Sequence, residues 1–317
     1  MRQLLIVAAI AAACAVDADC EDTAPDGSAD ADADADTDAG TDTGADTDTG
    51  AVACPCSAGF EELPGPGAET ICATSGPILA DQEWCPNHVY RLDDVVLVGE
   101  DGGEEVALTI HPGVRVTGAA GEHPAASGLF VQRGSRLFAA GTADAPIVFT
   151  SGRPAGQRER GDWCGIGLYG RAPVRTWEGE EGYAQGATGM YGGDDADDSS
   201  GVLRHVRIEF TGFEITGDSP LPALALGGVG RGTEIENVHI HLPHGDGVHL
   251  FGGTARLRRV LVTGPEEDGF DVDEGWGGEA QFLAVQQHAD RADNGLEVDG
   301  AADLGGEAPN GAPVVSN

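Results

Sequence analysis

The sequence predicts an all-β chain wound as a parallel β-helix, a solenoid in which each turn adds one rung to stacked sheets. Short apolar alternations separated by Gly, Asp and Asn run from about Val89 onward, and no stretch keeps a helical period over three turns. Asp-Gly or Asn-Gly steps recur at Asp246, Asp268 and Asn294, spaced by 22 and then 26 residues. One turn of a parallel β-helix has about this length. The 50 glycines and 5% aromatic residues also suit a turn-rich β structure rather than a helical bundle.

The charge of the chain excludes several classes of function. All 17 basic residues are Arg, against 54 acidic residues, and the net charge is −37. Without Lys, the chain has no P-loop lysine for a nucleotide and no amine for Schiff-base chemistry. A charge of this size repels phosphate backbones, so neither nucleic acid nor nucleotide is an expected partner.

The first 13 residues have the composition of a signal peptide. Arg2 precedes a short apolar stretch, and small residues lead to Cys14. Ala11-Ala12-Ala13-Cys14 resembles a bacterial lipobox, which implies that Cys14 is lipidated, although Ala11 stands where such boxes usually carry a larger aliphatic residue. The residue after Cys14 is Ala15 rather than the Asp associated with inner-membrane retention, so we expect a lipoprotein of the outer membrane or cell surface. Ordinary secretion, with Cys14 removed, is the alternative.

Residues 14–50 are expected to be a disordered acidic tether. Residues 15–50 contain 13 acids and no base, mostly in Asp-Ala, Asp-Thr and Asp-Gly steps. Such a segment cannot bury enough apolar surface to offset the entropy of ordering.

Residues 51–88 form a separate Cys-containing segment in this interpretation. Without Cys14, six cysteines remain, and an even number outside the cytoplasm predicts disulfides. Up to three bridges are expected to attach residues 51–90 to the body, with the pairing open. The candidates are Cys54, Cys56, Cys72, Cys85 and Cys164, whereas Cys20 lies in the tether and is equally well free.

Several phrases within residues 89–317 resemble bacterial right-handed parallel β-helix surface proteins. They begin at Gly141-Thr142-Ala143-Asp144-Ala145-Pro146-Ile147, Gly161-Asp162-Trp163-Cys164-Gly165, Tyr191-Gly192-Gly193-Asp194-Asp195, Gly201-Val202-Leu203-Arg204-His205 and Gly227-Gly228-Val229-Gly230-Arg231. The resemblance implies the right-handed fold and an extracytoplasmic location, but no chemistry, since such proteins largely lack an assigned activity. Cys164 departs from the usual Gly. The chain ends without a recognisable closing cap, which predicts a member truncated at its C-terminus.

The three Asp/Asn-Gly rungs predict a patch of carboxylates. Alternation along each strand directs Val248, Phe270, Leu296, Leu250, Val272 and Val298 inward. The outward side chains then form two columns, His249-Asp271-Glu297 and Phe251-Asp273-Asp299. Four carboxylates on neighbouring strands repel one another, so a bound cation, raised pKa values or a loop Arg must compensate. Ca²⁺ is the natural candidate for Asp271, Asp273, Glu297 and Asp299. A solvated acidic face without a ligand is the alternative.

A catalytic role for this patch is a further alternative. Asp271 and Glu297 are the candidates for an acid–base pair in glycoside hydrolysis. Ca²⁺ with an Arg base would resemble the chemistry of pectate lyases, and Arg258, Arg259 and Arg291 are nearby in the sequence. Fold analogy alone does not assign an enzyme.

A histidine cluster is the second candidate metal site. His239, His241, His244 and His249 lie within a short segment, and His239-Ile240-His241 on a strand places both imidazoles on one face. His239, His241 and His249 therefore suit Zn²⁺ or Cu²⁺. Surface histidines without a metal are the alternative.

The leading functional hypothesis is a non-enzymatic, lipid-anchored β-helix for surface recognition or structural display, with a carbohydrate or another surface ligand as its partner. The second hypothesis is a polysaccharide lyase or glycoside hydrolase that acts at the carboxylate patch.

Overall fold

The computed structural model describes residues 54–119, 127–176, 180–215, 219–289, 291–299 and 313–317. The chain divides into a unit Met1–Val52 and a unit Ala53–Asn317, and all described residues belong to the second. The expected signal peptide, acidic tether, Cys14 and Cys20 lie outside the described residues. None of the described residues forms a helix with the length and hydrophobicity that a bilayer crossing requires.

Ala53–Asn317 is built from strands that return to the same three faces in each turn. The first face begins with β2 (Thr70–Thr74), β4 (His88–Leu92), β7 (Arg115–Gly118) and β10 (Ile147–Ser151). The second begins with β3 (Gln82–Trp84), β6 (Ala107–Ile110) and β9 (Arg136–Ala140). The third contains β5 (Val95–Val98), β8 (Gly128–Val131), β11 (Gly165–Tyr169), β15 (Leu224–Gly227), β17 (Val248–Phe251), β19 (Phe270–Asp273) and β21 (Leu296–Val298). All pairings within these faces are parallel, so the predicted parallel β-helix is confirmed.

Four long strands belong to the first and second faces at once. They are β14 (Gly201–Glu209), β16 (Glu234–His241), β18 (Arg256–Thr263) and β20 (Glu279–Gln286). Residues 201–204 of β14 pair with β9, and residues 206–208 pair with β10. The two faces thereby merge into one 13-stranded sheet, while the third face is a separate seven-stranded sheet.

A left-handed residue stands where each long strand passes from one face to the other. His205, Asn237, Arg259 and Phe282 have φ angles of 50°, 54°, 53° and 63°. They occupy equivalent places in the ladder, because the residues on either side of each pair in register. An L-residue in this conformation costs roughly 1–2 kcal/mol, so the fold repeats a strained bend in each of the four long strands.

The remaining strands lie at the ends and in an insertion. β1 (Glu61–Pro64) pairs antiparallel with β2, and β22 (Val314–Ser316) pairs parallel with β20. β12 (Glu181–Tyr183) and β13 (Met190–Gly192) form a small antiparallel pair. The described residues also contain one short 3₁₀ turn, Gln185–Ala187, and no α-helix.

The core lies between the faces as stacked apolar columns. On the third face, Val248 and Phe270 are in register and at most 1% exposed, as are their upstream equivalents Leu129, Ile166 and Leu224. Leu296 and Val298 continue the inward columns in register with Phe270 and Val272, but they are 43% and 52% exposed. β21 is the outermost strand of its sheet, so no described strand covers its other side.

The cysteines form two bridges near the start of the coil. Cys54 pairs with Cys85, and Cys56 pairs with Cys72. Both bridges therefore lie within residues 51–90 and do not attach this segment to the later body, contrary to the expectation. Cys164 is also not bridged to any described cysteine, and its side chain is buried in one cluster with Phe130 and Tyr169.

Candidate carboxylate and histidine site

The outer face of β17, β19 and β21 carries the predicted columns. His249, Asp271 and Glu297 are consecutive partners in the parallel ladder, and Phe251 pairs with Asp273. The inward alternation of Val248 and Leu250 directs these side chains outward, as expected. We call His249, Asp271, Asp273 and Glu297, with Asp246 and Asp268 from the preceding turns, the carboxylate cluster.

Asp246 and Asp268 join the site because they stack in the turns that precede the strands. The Asp268 N–H donates to Asp246 Oδ1 at 3.0 Å, and the Asn294 N–H donates to Asp268 Oδ1 at 2.5 Å. Both residues are buried, at 8% and 4% exposure. Each carboxylate thus satisfies a backbone donor of the next rung, and its other oxygen is available to the outer face.

His249 lies between three carboxylates. Its Nδ1 is 3.3 Å from Asp246 Oδ2, and its Nε2 is 3.2 Å from Asp271 Oδ2 and 3.0 Å from Asp273 Oδ2. The Phe251 ring stacks on the imidazole, with 3.7 Å between ring centroids. The His249 side chain is only 14% exposed. A largely buried ring with acids at both nitrogens is stabilised as imidazolium.

The pKa of His249 reflects these contacts. Burial by itself lowers the pKa, but hydrogen bonds to Asp246 and Asp273 and the charge of Asp271 outweigh burial and raise it to about 9. His249 is therefore the cation that compensates the column. The sequence predicted that a bound cation, raised pKa values or a loop Arg offsets the repulsion among the acids. It assigned His249 instead to a candidate metal site.

Raised carboxyl pKa values supply the rest of the compensation. Burial raises the pKa of Asp271 to about 6, and His249 opposes this shift. A hydrogen bond with Asp268 raises the pKa of Glu297 to about 7, helped by the charges of Asp271 and Asp299. The Glu297 carboxyl group is therefore partly protonated near neutral pH. Asp299 contributes its charge, and its N–H donates to the Val272 carbonyl at 2.9 Å.

Two further carboxyl groups border the cluster, and sequence reasoning missed them. Burial and the charges of Asp246 and Asp268 raise the pKa of Glu267 to about 7. Burial also raises the pKa of Glu274 to about 7, although the Tyr191 hydroxyl donates to it at 3.1 Å. Both residues lie in corner turns, where the strand alternation says nothing about direction. The repeated three-residue offset from Asp246 to His249 and from Asp268 to Asp271 was the available signal for the turn aspartates.

The predicted grouping of His239, His241 and His249 is wrong. His239 and His241 lie on β16 in the 13-stranded sheet, whereas His249 lies on β17 in the other sheet. His239 Nε2 and His241 Nδ1 both contact the Thr263 hydroxyl, at 3.0 and 2.8 Å. Burial lowers the pKa of His239 to about 4 and also lowers that of His241, so both rings are neutral. The chain turns between β16 and β17, which separates residues that are close in sequence.

The arginines considered as a lyase base are held elsewhere. Arg258 and Arg259 form ion pairs with Glu236 on β16, and Arg291 pairs with Glu266. Both β16 and β18 belong to the 13-stranded sheet. The cluster is thus an arrangement of carboxyl groups around an imidazolium.

Two sets of atoms in the cluster have the spacing of metal ligands. Asp246, His249 and Asp271 each present a ligand atom within 4.8 Å of the others, as do Asp268, Asp271 and Glu297. The first set needs a neutral His249, which its raised pKa opposes. The second consists of oxygens alone, the donors that Ca²⁺ takes. Asp271 belongs to both sets, whereas Asp273 and Asp299 belong to neither.

Comparison with known proteins gives a family but no individual relative. The model of the pectate-lyase like beta helix domain matches residues 76–317, which include most of the coil and the whole carboxylate cluster. Searches of curated proteins and of solved structures found no match. Since the matched region covers more than half of the chain, the protein belongs to the family of pectate-lyase like beta helix domains.

Proposed function

We propose that the protein is a non-enzymatic binding protein, displayed outside the cytoplasm, which recognises carbohydrate at the carboxylate cluster. The supporting observation is the His249 imidazolium held by Asp246, Asp271 and Asp273, with Phe251 stacked on it. Ionised carboxylates accept hydrogen bonds from hydroxyl groups, and an aromatic ring offers an apolar surface beside them. Asp273 is the most exposed of these acids, at 31% of its side chain, and is the first expected contact.

A binding role agrees with how the acids are used. Three of them are ion-paired to one imidazolium, so each has a structural partner. A catalytic site requires groups that change protonation during a reaction, and an imidazolium fixed by three acids is poorly suited to this.

Titration calorimetry with neutral and acidic polysaccharides tests the binding proposal. We expect saturable binding that Asp273→Asn weakens roughly tenfold, as for a hydrogen bond to a charged group. Asp93→Asn is the matched control, because Asp93 is a similarly exposed carboxylate, at 33%, paired with Arg91 away from the cluster. Absence of binding to every polymer, or equal losses in both variants, contradicts the proposal.

The second candidate function is cleavage of a polysaccharide, and a different observation favours it. The Glu297 carboxyl group, whose pKa is about 7, lies beside Asp271, whose pKa is about 6, which provides a protonated and an ionised carboxyl group together near neutral pH. Such a pair can serve glycoside hydrolysis. Incubation with uronic-acid polymers then yields new chain ends, and Glu297→Gln and Asp271→Asn abolish them. Activity that survives both substitutions excludes this site.

The location is proposed from the N-terminal sequence. We propose a lipid anchor on Cys14 and retention at the outer membrane. Incorporation of a labelled fatty acid is expected in the intact chain and in Cys20→Ser, but not in Cys14→Ser. Fractionation of Ala15→Asp tests the membrane, since this change is expected to move the protein to the inner membrane. Labelling that persists in Cys14→Ser overturns the anchor.

A further inference from the structure

A positively charged cavity, separate from the carboxylate cluster, lies at the corner between the 13-stranded sheet and the third face. Its volume is about 510 Å³, and three arginines and two histidines line it: Arg158, Arg160, Arg291, His244 and His288. These residues come from the turns that follow β10, β16 and β20, while Glu266 comes from the turn after β18. The stacking of successive rungs therefore brings together cations that are far apart in the sequence.

We propose that this cavity binds a small organic ligand through an oxyanion, the chemistry that carboxylate and sulfate groups share. The two acids in its lining, Glu159 and Glu266, do not balance three arginines, so the cavity is locally positive. The chain as a whole carries −37, but salt screens charges beyond about 8 Å at physiological ionic strength. A volume of about 510 Å³ is within the usual range for small-molecule sites and exceeds what an oxyanion alone requires.

Glu266 holds part of the cavity wall in place. It pairs with Arg291, lies 3.2 Å from His244 Nε2 and 3.8 Å from Arg160 Nε, and its side chain is 14% exposed. Arg160 also donates through Nη2 to the Gly264 carbonyl at 2.8 Å. Fixed cations lose less conformational entropy when an anion binds, so this wall is preorganised.

Arg158 supplies a cation that is not ion-paired with any described residue. Its Nε donates to the Arg153 carbonyl at 3.1 Å, and no carboxylate among the described residues forms an ion pair with it. The neighbouring Glu159 is 75% exposed and pairs with Arg153 at 3.3 Å. A guanidinium with open terminal nitrogens binds an oxyanion in a bidentate geometry, and in a chain this rich in acids an unpaired arginine is available for an external anion.

Calorimetric titration of the full chain with sodium sulfate and with sodium glucuronate tests the site, using sodium chloride at matched ionic strength as the blank. We expect saturable binding that Arg158→Gln weakens roughly tenfold, the effect of a hydrogen bond to a charged group. Arg115→Gln is the matched control, because Arg115 is a half-exposed arginine paired with Glu69 near the start of the coil; it leaves binding unchanged. Glu159→Gln removes a negative charge from the lining and is expected to strengthen binding, a gain that misfolding does not produce.

The two probes identify the source of the oxyanion. Tighter binding of glucuronate assigns the cavity to an acidic sugar, and tighter binding of sulfate assigns it to a sulfate ester; competition between them supports one shared site. The proposal is overturned if neither anion binds more than chloride does, or if Arg158→Gln and Arg115→Gln bind equally well. Binding here is independent of Asp273→Asn, so this result and that of the carbohydrate proposal are separable.

Discussion

His249 Nε2 lies 3.0 Å from Asp273 Oδ2 on the adjacent strand of the third face. The same nitrogen is 3.2 Å from Asp271, and Nδ1 is 3.3 Å from Asp246. Like charges on neighbouring strands destabilise a sheet, and this one ring relieves the repulsion among three acids. The stability of the C-terminal rungs therefore depends in part on the proton that His249 carries.

The first prediction concerns the pH dependence of stability. The pKa of His249 is raised from 6.5 to about 9 in the folded chain, so its contribution is fully present below pH 6.5 and is lost as the pH rises through 9. A shift of this size corresponds to about 3 kcal/mol. Urea unfolding between pH 6.5 and 9.5 should show this decline, and His249→Gln should remove it. His111→Gln, at a half-exposed position outside the cluster, should leave the decline intact; a similar slope in His249→Gln contradicts the prediction.

The second prediction concerns Glu274, whose Oε2 is buried without a hydrogen-bond partner among the described residues. Its pKa is raised from 4.5 to about 7, so the folded state gains relative stability below pH 4.5 and loses it as the pH rises through 7. Glu274→Gln should increase the free energy of unfolding by about 1–3 kcal/mol at pH 8 and change little at pH 4. Exposed Glu62→Gln is the control. Destabilisation by Glu274→Gln at pH 8 disproves the assignment.

The third prediction concerns the glycines beneath the aromatic side chains of the third face. A Cβ on Gly167 would lie 2.6 Å from Phe130 Cδ1 and 2.7 Å from the Tyr169 hydroxyl. Both rings are buried, so Gly167→Ala should destabilise the fold by about 1–3 kcal/mol. Gly76→Ala, where no atom lies within 4 Å of the new Cβ, should change the melting temperature little. Equal melting temperatures for the two variants would show that the Phe130 and Tyr169 rings move to accommodate the new Cβ, which contradicts the prediction.

The fourth prediction concerns the unpaired thiol of Cys164. Burial raises its pKa to about 12, and the thiolate is the reactive form. Alkylation with iodoacetamide, followed by mass spectrometry, should modify Cys164 only after denaturation. Cys164→Ala should lower the number of modified thiols by one in denaturant and by none in the native state. Modification of the native wild-type chain at Cys164 is the contrary result.

The fifth prediction concerns Ca²⁺. Binding by Asp268, Asp271 and Glu297 must displace the proton on Glu297, whose pKa is about 7. Because metal competes with protons, Ca²⁺ should raise the melting temperature more at pH 8 than at pH 6, and a chelator should reverse the shift. Asp271→Asn should abolish the shift, and Asp93→Asn should preserve it. A shift that Asp271→Asn leaves unchanged places the ion elsewhere.

Much of the fold was predictable because it repeats. The Asp/Asn-Gly steps identified the period, and the alternation around Val248 and Phe270 identified which side chains point inward, since a strand has only two directions for a side chain. The column His249-Asp271-Glu297 followed from the same register. The alternation placed Leu296 and Val298 on the inward side but gave no sign that they are exposed, because burial depends on the next rung.

The left-handed bends were not predictable from residue type. Arg259 and Phe282 adopt a conformation that Gly and Asn favour, and only Asn237 carries such a signal. Each long strand must bend to pass from the first face to the second, and the parallel pairing on either side of the bend holds these angles.

By itself, the sequence determined the solenoid, its period and the placing of acids on one outer face, because these follow from local alternation repeated along the chain. Tertiary structure decided which groups meet. It separated His249 from His239 and His241, paired the cysteines of residues 54–85 with one another, and brought Arg158, Arg160 and Arg291 to one cavity. The physical reason is that ion pairs, disulfides and pKa shifts depend on distances of a few ångströms between chain segments, which the corner turns set and the residue pattern does not record.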